Sequence, residues 1–165
     1  MTLVCNFHFE KETSRIRRQF FRVVLPIVFL NVFPISTIAA IEPPKVVLSC
    51  LVDNIYIAED YYFAKENSVI YIGDSFVTVV GATWTPLTAR LLSTEVAKIT
   101  SKPIKEVINT NHDLDRVGGN SYFKSIGSRI ISTKQTRDLL MKEGKRSVEI
   151  ARNGSDYPNT EIVLP

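Results

Sequence analysis

The sequence has 165 residues, of which 45% are apolar, 22% charged and 10% aromatic, with 7 Gly and 8 Pro. These proportions exclude collagenous, low-complexity and disulfide-scaffold classes and fit a chain that folds around an apolar core. The formal charge of +3 does not point to nucleic acid, because five of the 20 basic residues and two of the 17 acidic ones lie in the first forty positions and the remainder balances.

Residues 1–40 read as a secretory signal peptide. Arg15, Arg17, Arg18 and Arg22 precede the apolar run Val23 to Leu30, and Ser36 to Ala40 supplies a small-residue end with cleavage expected near Ala39 or Ala40. Pro26, Asn31 and Pro34 break the apolar stretch, which is too short for a spanning helix of ~20 residues. The expectation is therefore export to the periplasm or beyond, without membrane attachment after cleavage, and one folded unit over residues 41–165. Cys5 leaves with the leader, so Cys50 is expected to stand alone as a small buried hydrophobe without a disulfide.

Four strands follow in runs rich in β-branched and aromatic residues: Val46 to Leu48, Ile55 to Ile57, Val69 to Ile72 and Phe76 to Val80. Gly73-Asp74-Ser75 has hairpin spacing between the last two. The segment Glu59 to Asn67, with Tyr61, Tyr62 and Phe63 in succession, reads equally as a mobile flap over a pocket or as an aromatic-rich strand end. After Gly81 the period becomes helical through Leu87, Leu91, Leu92, Val96 and Ile99, with Thr85 as cap and Pro86 in the first turn, predicting a helix from about 86 to 100. A buried strand is expected at Ile104 to Ile108, a loop at Asn109 to Gly119, a short helix at Ser121 to Ile126 and a strand at Arg129 to Ser132. A last helix begins near Thr133, with Ser132 and Gln135 spaced as a capping box; it weakens at Gly144 and ends at Asn153-Gly154. This order predicts an α/β layer, a mixed sheet with helices on one face and the other face uncovered.

The chemistry is concentrated in Asn109 to Asn120, after a buried strand and before a helix, where α/β sheets bind ligands. The segment holds Asp113 and Asp115, His112, Asn111, Arg116 and the pair Gly118-Gly119, the glycines being expected to let the backbone turn sharply. Aspartate and histidine are zinc-ligand types. Trp84, at a strand-to-helix junction, reads first as core or loop packing and second as a residue that shapes the site or stacks on a substrate.

From Tyr56 to Pro165 the chain resembles the metallo-β-lactamases, and specifically their mono-zinc, carbapenem-selective subclass. The resemblance is carried by Gly81 to Pro86, Glu106 to Asn111, Asp115-Arg116 with Gly118 to Asn120, Lys124 to Gly127, Ser132 to Leu139 and Val163 to Pro165. The family's general loop is His-x-His-x-Asp-His and the subclass has Asn-x-His-x-Asp-Arg, so Asn111, Asp115 and Arg116 match the subclass form. The resemblance implies an αβ/βα sandwich with zinc between two sheets, and β-lactam hydrolysis by a metal-positioned water. It further implies Asp115 as a zinc ligand that helps orient the water; Arg116 reads as meeting a substrate carboxylate or, at least equally, as salt-bridged to a neighbouring acidic group, and Asn111, Gly119 and Trp84 read as residues that shape the site.

Two departures qualify that implication. Asp113 stands where the subclass has its central loop histidine, and His112 sits one position earlier, so Asp113 is the expected substitute proton acceptor or oxygen ligand and His112 the candidate second metal ligand. No histidine follows His112 and no cysteine follows Cys50. The expectation is an N-terminal αβ half alone, inactive as this chain by itself, or an exported non-catalytic subunit that needs a partner or self-association to cover its sheet.

Overall fold

The computed structural model describes residues 43–165; the leader expected over residues 1–40 and Cys5 lie outside the described residues. A six-stranded mixed sheet runs in chain order: β1 (Val46–Val52), β2 (Ile55–Asp60), β3 (Glu66–Ile72), β4 (Val77–Val80), β5 (Ile104–Ile108) and β6 (Arg129–Ile131). The first four strands pair antiparallel, and β4, β5 and β6 pair parallel. The four helices are α1 (Pro86–Ala97), α2 (Leu114–Val117), α3 (Asn120–Ser125) and α4 (Lys134–Gly154).

Period-two alternation decides which side of the sheet is the core. Ala58, Ile70, Val77, Val79 and Val107 point to one face and pack with Ala89, Leu92 and Val96 of α1 and Phe123 of α3. Each of the valine, leucine, isoleucine and phenylalanine side chains removed from water contributes about 1.5–3 kcal/mol. The opposite face carries Ile57, Val69, Val80, Ile108 and Ile131 in one register row across β2 to β6. All five are only partly buried, and no described helix packs on that row. The expected one-sided helix cover is thus the observed arrangement.

Local chemistry accounts for most element ends and corrects several. Thr85 caps α1: its Oγ1 accepts from the Thr88 N–H at 3.1 Å while the Thr88 Oγ1 accepts from the Thr85 N–H at 3.1 Å. At α4 the cap is Thr133, whose Oγ1 accepts from the Thr136 N–H at 3.1 Å, so the expected Ser132–Gln135 box is displaced by one residue. The helix does not weaken at Gly144. A Cβ there would meet Leu140 at 3.0 Å and Ile162 at 3.1 Å, so the missing side chain admits the C-terminal segment against the helix. Residues 109–119 are not all loop, since α2 forms one turn inside them. Tyr61, Tyr62 and Phe63 occupy the five-residue connection between β2 and β3, beyond the strand end. Cys50 is half-buried in β1 and carries no free thiol, contrary to the expected lone buried cysteine. No described helix is long and apolar enough to cross a membrane.

Candidate functional site

The site segment leaves β5 at its carboxyl end and is shaped by its own polar side chains. The Asn111 Oδ1 accepts from the Asp113 N–H at 3.0 Å, and the Asn111 Nδ2 donates to the Asp113 Oδ2 at 2.8 Å. Asp113 is the N-cap of α2 in extended conformation, and its carbonyl accepts from the N–H groups of Arg116 and Val117. Asn111 and Asp113 therefore close a turn on each other. His112 lies over α4, with its Nε2 3.6 Å from the Glu143 Oε2.

Asp115 and Arg116 form the charged centre. The Arg116 Nε sits 3.3 Å from the Asp115 Oδ2, its Nη2 is 2.6 Å from the Glu66 Oε2, and its Nη1 donates to the Asn67 carbonyl at 2.8 Å. One guanidinium thus joins the site segment to β3. Burial pushes the Asp115 carboxyl above the usual carboxylate range; Arg116 opposes that shift, while the charges of Glu66 and Asp113 reinforce it.

The turn between β4 and α1 is pressed against this segment. Ala82 N–H donates to the Arg116 carbonyl at 2.9 Å. A Cβ on Gly118 would lie 1.8 Å from the Trp84 carbonyl oxygen, and one on Gly119 would lie 1.9 Å from that of Ala82. Gly118 and Gly119 have φ of −60° and −84°, so close backbone approach, and not a left-handed turn, is what requires glycine at both positions. The neighbouring Thr83 has φ of 66°, a strained conformation for a β-branched residue, and is buried with its hydroxyl hydrogen-bonded to Thr88.

Trp84 is half-buried. Its indole Nε1 donates to the Ala64 carbonyl at 3.2 Å, its ring meets Phe63 edge-on at 5.8 Å, and its carbonyl accepts from the Tyr157 hydroxyl at 2.7 Å. Burial pushes the Tyr157 phenol up to about 12. Tyr62, Phe63, Trp84, Ile150 and Tyr157 line an apolar cleft of about 220 Å³. Tyr62 and Trp84 also pack against the cluster of Leu114, Val117, Leu140, Val148 and Tyr157, to which the α2 turn that carries Asp115 contributes two residues.

The donor set does not fit a zinc site. Among the described residues no three His, Cys, Asp or Glu side chains converge, and the candidates are already engaged: His112 toward Glu143, Asp113 with Asn111, and Asp115 with Arg116. The residues that sequence reasoning missed are those that brace the segment. Asn109 and Asn120 are buried polar groups at its two ends. Glu66 and Asp60 face each other across β2 and β3, a pairing visible only once register is known. A polar Asn closing the apolar run of β5 was the available signal.

Residues 62–149 match the metallo-beta-lactamase superfamily. The chain belongs to that superfamily. A metallo-beta-lactamase type 2 of Elizabethkingia meningoseptica is 32% identical over 111 residues, covering 63% of this chain and 44% of the relative. Among solved structures, a metallo-beta-lactamase from Hirschia baltica aligns with TM-score 0.58 at 19% identity, covering 61% of this chain and 48% of the other. A metallo-beta-lactamase from Pseudomonas aeruginosa in its mono-zinc form aligns with TM-score 0.55 at 14% identity, covering 61% and 47%. The chain thus spans about half the length of these relatives, and the mixed six-stranded sheet with its helices is part of the metallo-beta-lactamase fold.

Proposed function

We propose that this chain carries the N-terminal half of an exported, zinc-dependent β-lactam hydrolase of the carbapenem-selective type, and that by itself it holds zinc weakly and does not turn over. The supporting observation is the Asn111–Asp115–Arg116 pattern at the carboxyl end of β5, in a chain of this superfamily that spans about half of its relatives. Asp115 is then one contributor to a metal-ligand set that the described residues do not complete. Arg116, already shared between Asp115 and Glu66, has limited freedom to meet a substrate carboxylate.

A second reading, a non-catalytic subunit completed by a partner, is favoured by the apolar row Ile57–Val69–Val80–Ile108–Ile131 that no described helix covers. Metal analysis of the full chain after dialysis, with a carbapenem hydrolysis assay, tests the first proposal. The expected result is less than one zinc per chain and no turnover. Stoichiometric zinc with turnover that is lost in Asp115→Ala would show that this chain is an enzyme unaided, with Asp113 and His112 drawn in as ligands.

A further inference from the structure

Phe63 and Ile150, 74% and 60% exposed, are the two most exposed large hydrophobic side chains among the described residues. They come from different elements, the β2–β3 connection and α4, yet both border the apolar cleft beside Trp84. Single apolar side chains scattered over a surface need no account, but two projecting from one rim beside an apolar opening mark a place of contact.

Cations are gathered round the same rim. The basic and acidic residues of positions 41–165 balance, but α4 carries six basic side chains, all exposed, against three acidic ones. Arg146 lies one helical turn before Ile150 and so on the same side of α4. Like Lys145 and Arg152, it makes no ion pair among the described residues. Beside the loop, Lys45 and Lys65 stand over the Tyr61 ring, 5.0 and 5.7 Å from its centroid. Of the nearby acids, Glu59 is ion-paired with Lys65 and Glu143 lies between His112 and Lys142, while Glu149 and Asp156 are exposed.

We propose that the chain docks reversibly on an anionic lipid surface through this rim, with Phe63 and Ile150 entering the acyl layer and Arg146 and Lys65 meeting headgroup phosphates. Apolar tips surrounded by cations on long aliphatic stems match the order of layers in a bilayer, because the stems keep the charges at the headgroups while the tips go deeper. A polyanion without an apolar layer, such as a nucleic acid, gains nothing from burying Ile150. The contact differs from a spanning helix, which no described helix can form, and from attachment through the leader. It does not rest on the hydrolase reading above.

Trp84 is the sole tryptophan of the chain, borders the same cleft and meets Phe63 edge-on at 5.8 Å, so its fluorescence reports lipid contact at this rim. The full chain is floated with vesicles of phosphatidylglycerol and phosphatidylcholine, one set carrying bromine, a tryptophan quencher, on the acyl chains. The expected result is flotation and Trp84 quenching with the anionic vesicles, loss of both as salt is raised, and neither with phosphatidylcholine alone. Phe63→Ser combined with Ile150→Ser should weaken the binding read by quenching about ten-fold. Arg146→Gln should weaken it about five-fold, with circular dichroism confirming that each variant folds. Met141→Ser, at an exposed position on the opposite side of α4, should leave it unchanged. Flotation without quenching would put the lipid contact elsewhere on the chain and overturn the proposal. So would quenching by neutral vesicles equal to that by anionic ones, quenching unchanged in either variant, or retention by heparin at the same salt with no flotation.

Discussion

The side chains of Asn109 and Asn120 form a reciprocal amide pair, each Nδ2 donating to the other's Oδ1 at 2.9 Å. Both residues are buried, and both have spare donor capacity that is used: Asn109 also donates to the Arg116 carbonyl at 2.9 Å, and Asn120 to the Val163 carbonyl at 3.2 Å. The pair closes the two ends of the site segment on each other and fastens the C-terminal strip beside them.

Asn109→Leu should accordingly destabilise the chain by about 1–3 kcal/mol, because it removes the reciprocal partner of the buried Asn120 amide, which keeps only the Val163 carbonyl, and one of the two donors to the Arg116 carbonyl. Asn120→Leu should cost a similar amount, and the double variant less than the two costs added. Urea unfolding of the four chains measures the coupling, and strict additivity would show that the amides act independently.

The elements that read clearly in the sequence are those set by local chemistry. Thr85 and Pro86 announced α1, and the run Ile104 to Ile108 announced β5, since caps and apolar periods are properties of neighbouring residues. The site was legible as a segment but not as a geometry. That His112 turns to Glu143, 31 positions away, and that Arg116 reaches Glu66, 50 positions away, depend on how α4 and β3 are placed by the core. The glycine pair was singled out for the wrong physical reason: its φ values are ordinary, and the need is for space beside Trp84 and Ala82.

That distinction separates two glycine substitutions. Gly119→Ala must push a methyl group into the Ala82 carbonyl oxygen and the Ala89 Cβ, 1.9 and 2.7 Å from the new atom, and should cost at least about 3 kcal/mol. Gly127→Ala has nothing within 4 Å and suffers only from its φ of +84°, for about 1–2 kcal/mol. Thermal unfolding of both variants ranks them, and an equal or reversed order contradicts the close-approach account.

Stability should also depend on pH in a direction fixed by Asp60 and Asp115. Burial is the largest cause at both, and it raises both carboxyls above their ordinary values, so the folded chain binds these protons more tightly than the unfolded chain does. Their contribution to stability therefore falls as pH rises through the raised values and returns as pH drops toward the ordinary carboxylate range near ~4, below which the unfolded chain titrates as well. Glu59 is shifted the other way by Lys65, but at the surface, where solvent screens the pair. The urea midpoint of the unaltered chain relative to Asp60→Asn should rise as pH is lowered from neutral toward the ordinary carboxylate range; a constant difference rejects the assignment.

The last prediction concerns the sheet face opposite α1. Ile57, Val69, Val80, Ile108 and Ile131 make an apolar row five strands wide, and beside it Tyr71 is 51% exposed. The polar residues next to the row, Thr78, Glu106 and Arg129, satisfy one another, with Arg129 held to Glu106 at 2.6 Å, so they add little repulsion toward an approaching surface. A patch of this extent, left in water, exceeds what soluble monomers usually expose and favours contact with a like surface. The full chain is therefore expected to self-associate and to bind a hydrophobic dye. Val80→Lys, which places a charge at the centre of the row, should reduce both signals, whereas Met141→Lys, at an exposed position on α4 away from the apolar cleft, should leave them unchanged. Light scattering across a concentration series distinguishes the outcomes. A monomer at all concentrations without dye binding would show that this face is covered in solution, and equal effects of the two lysines would show that association runs through some other surface.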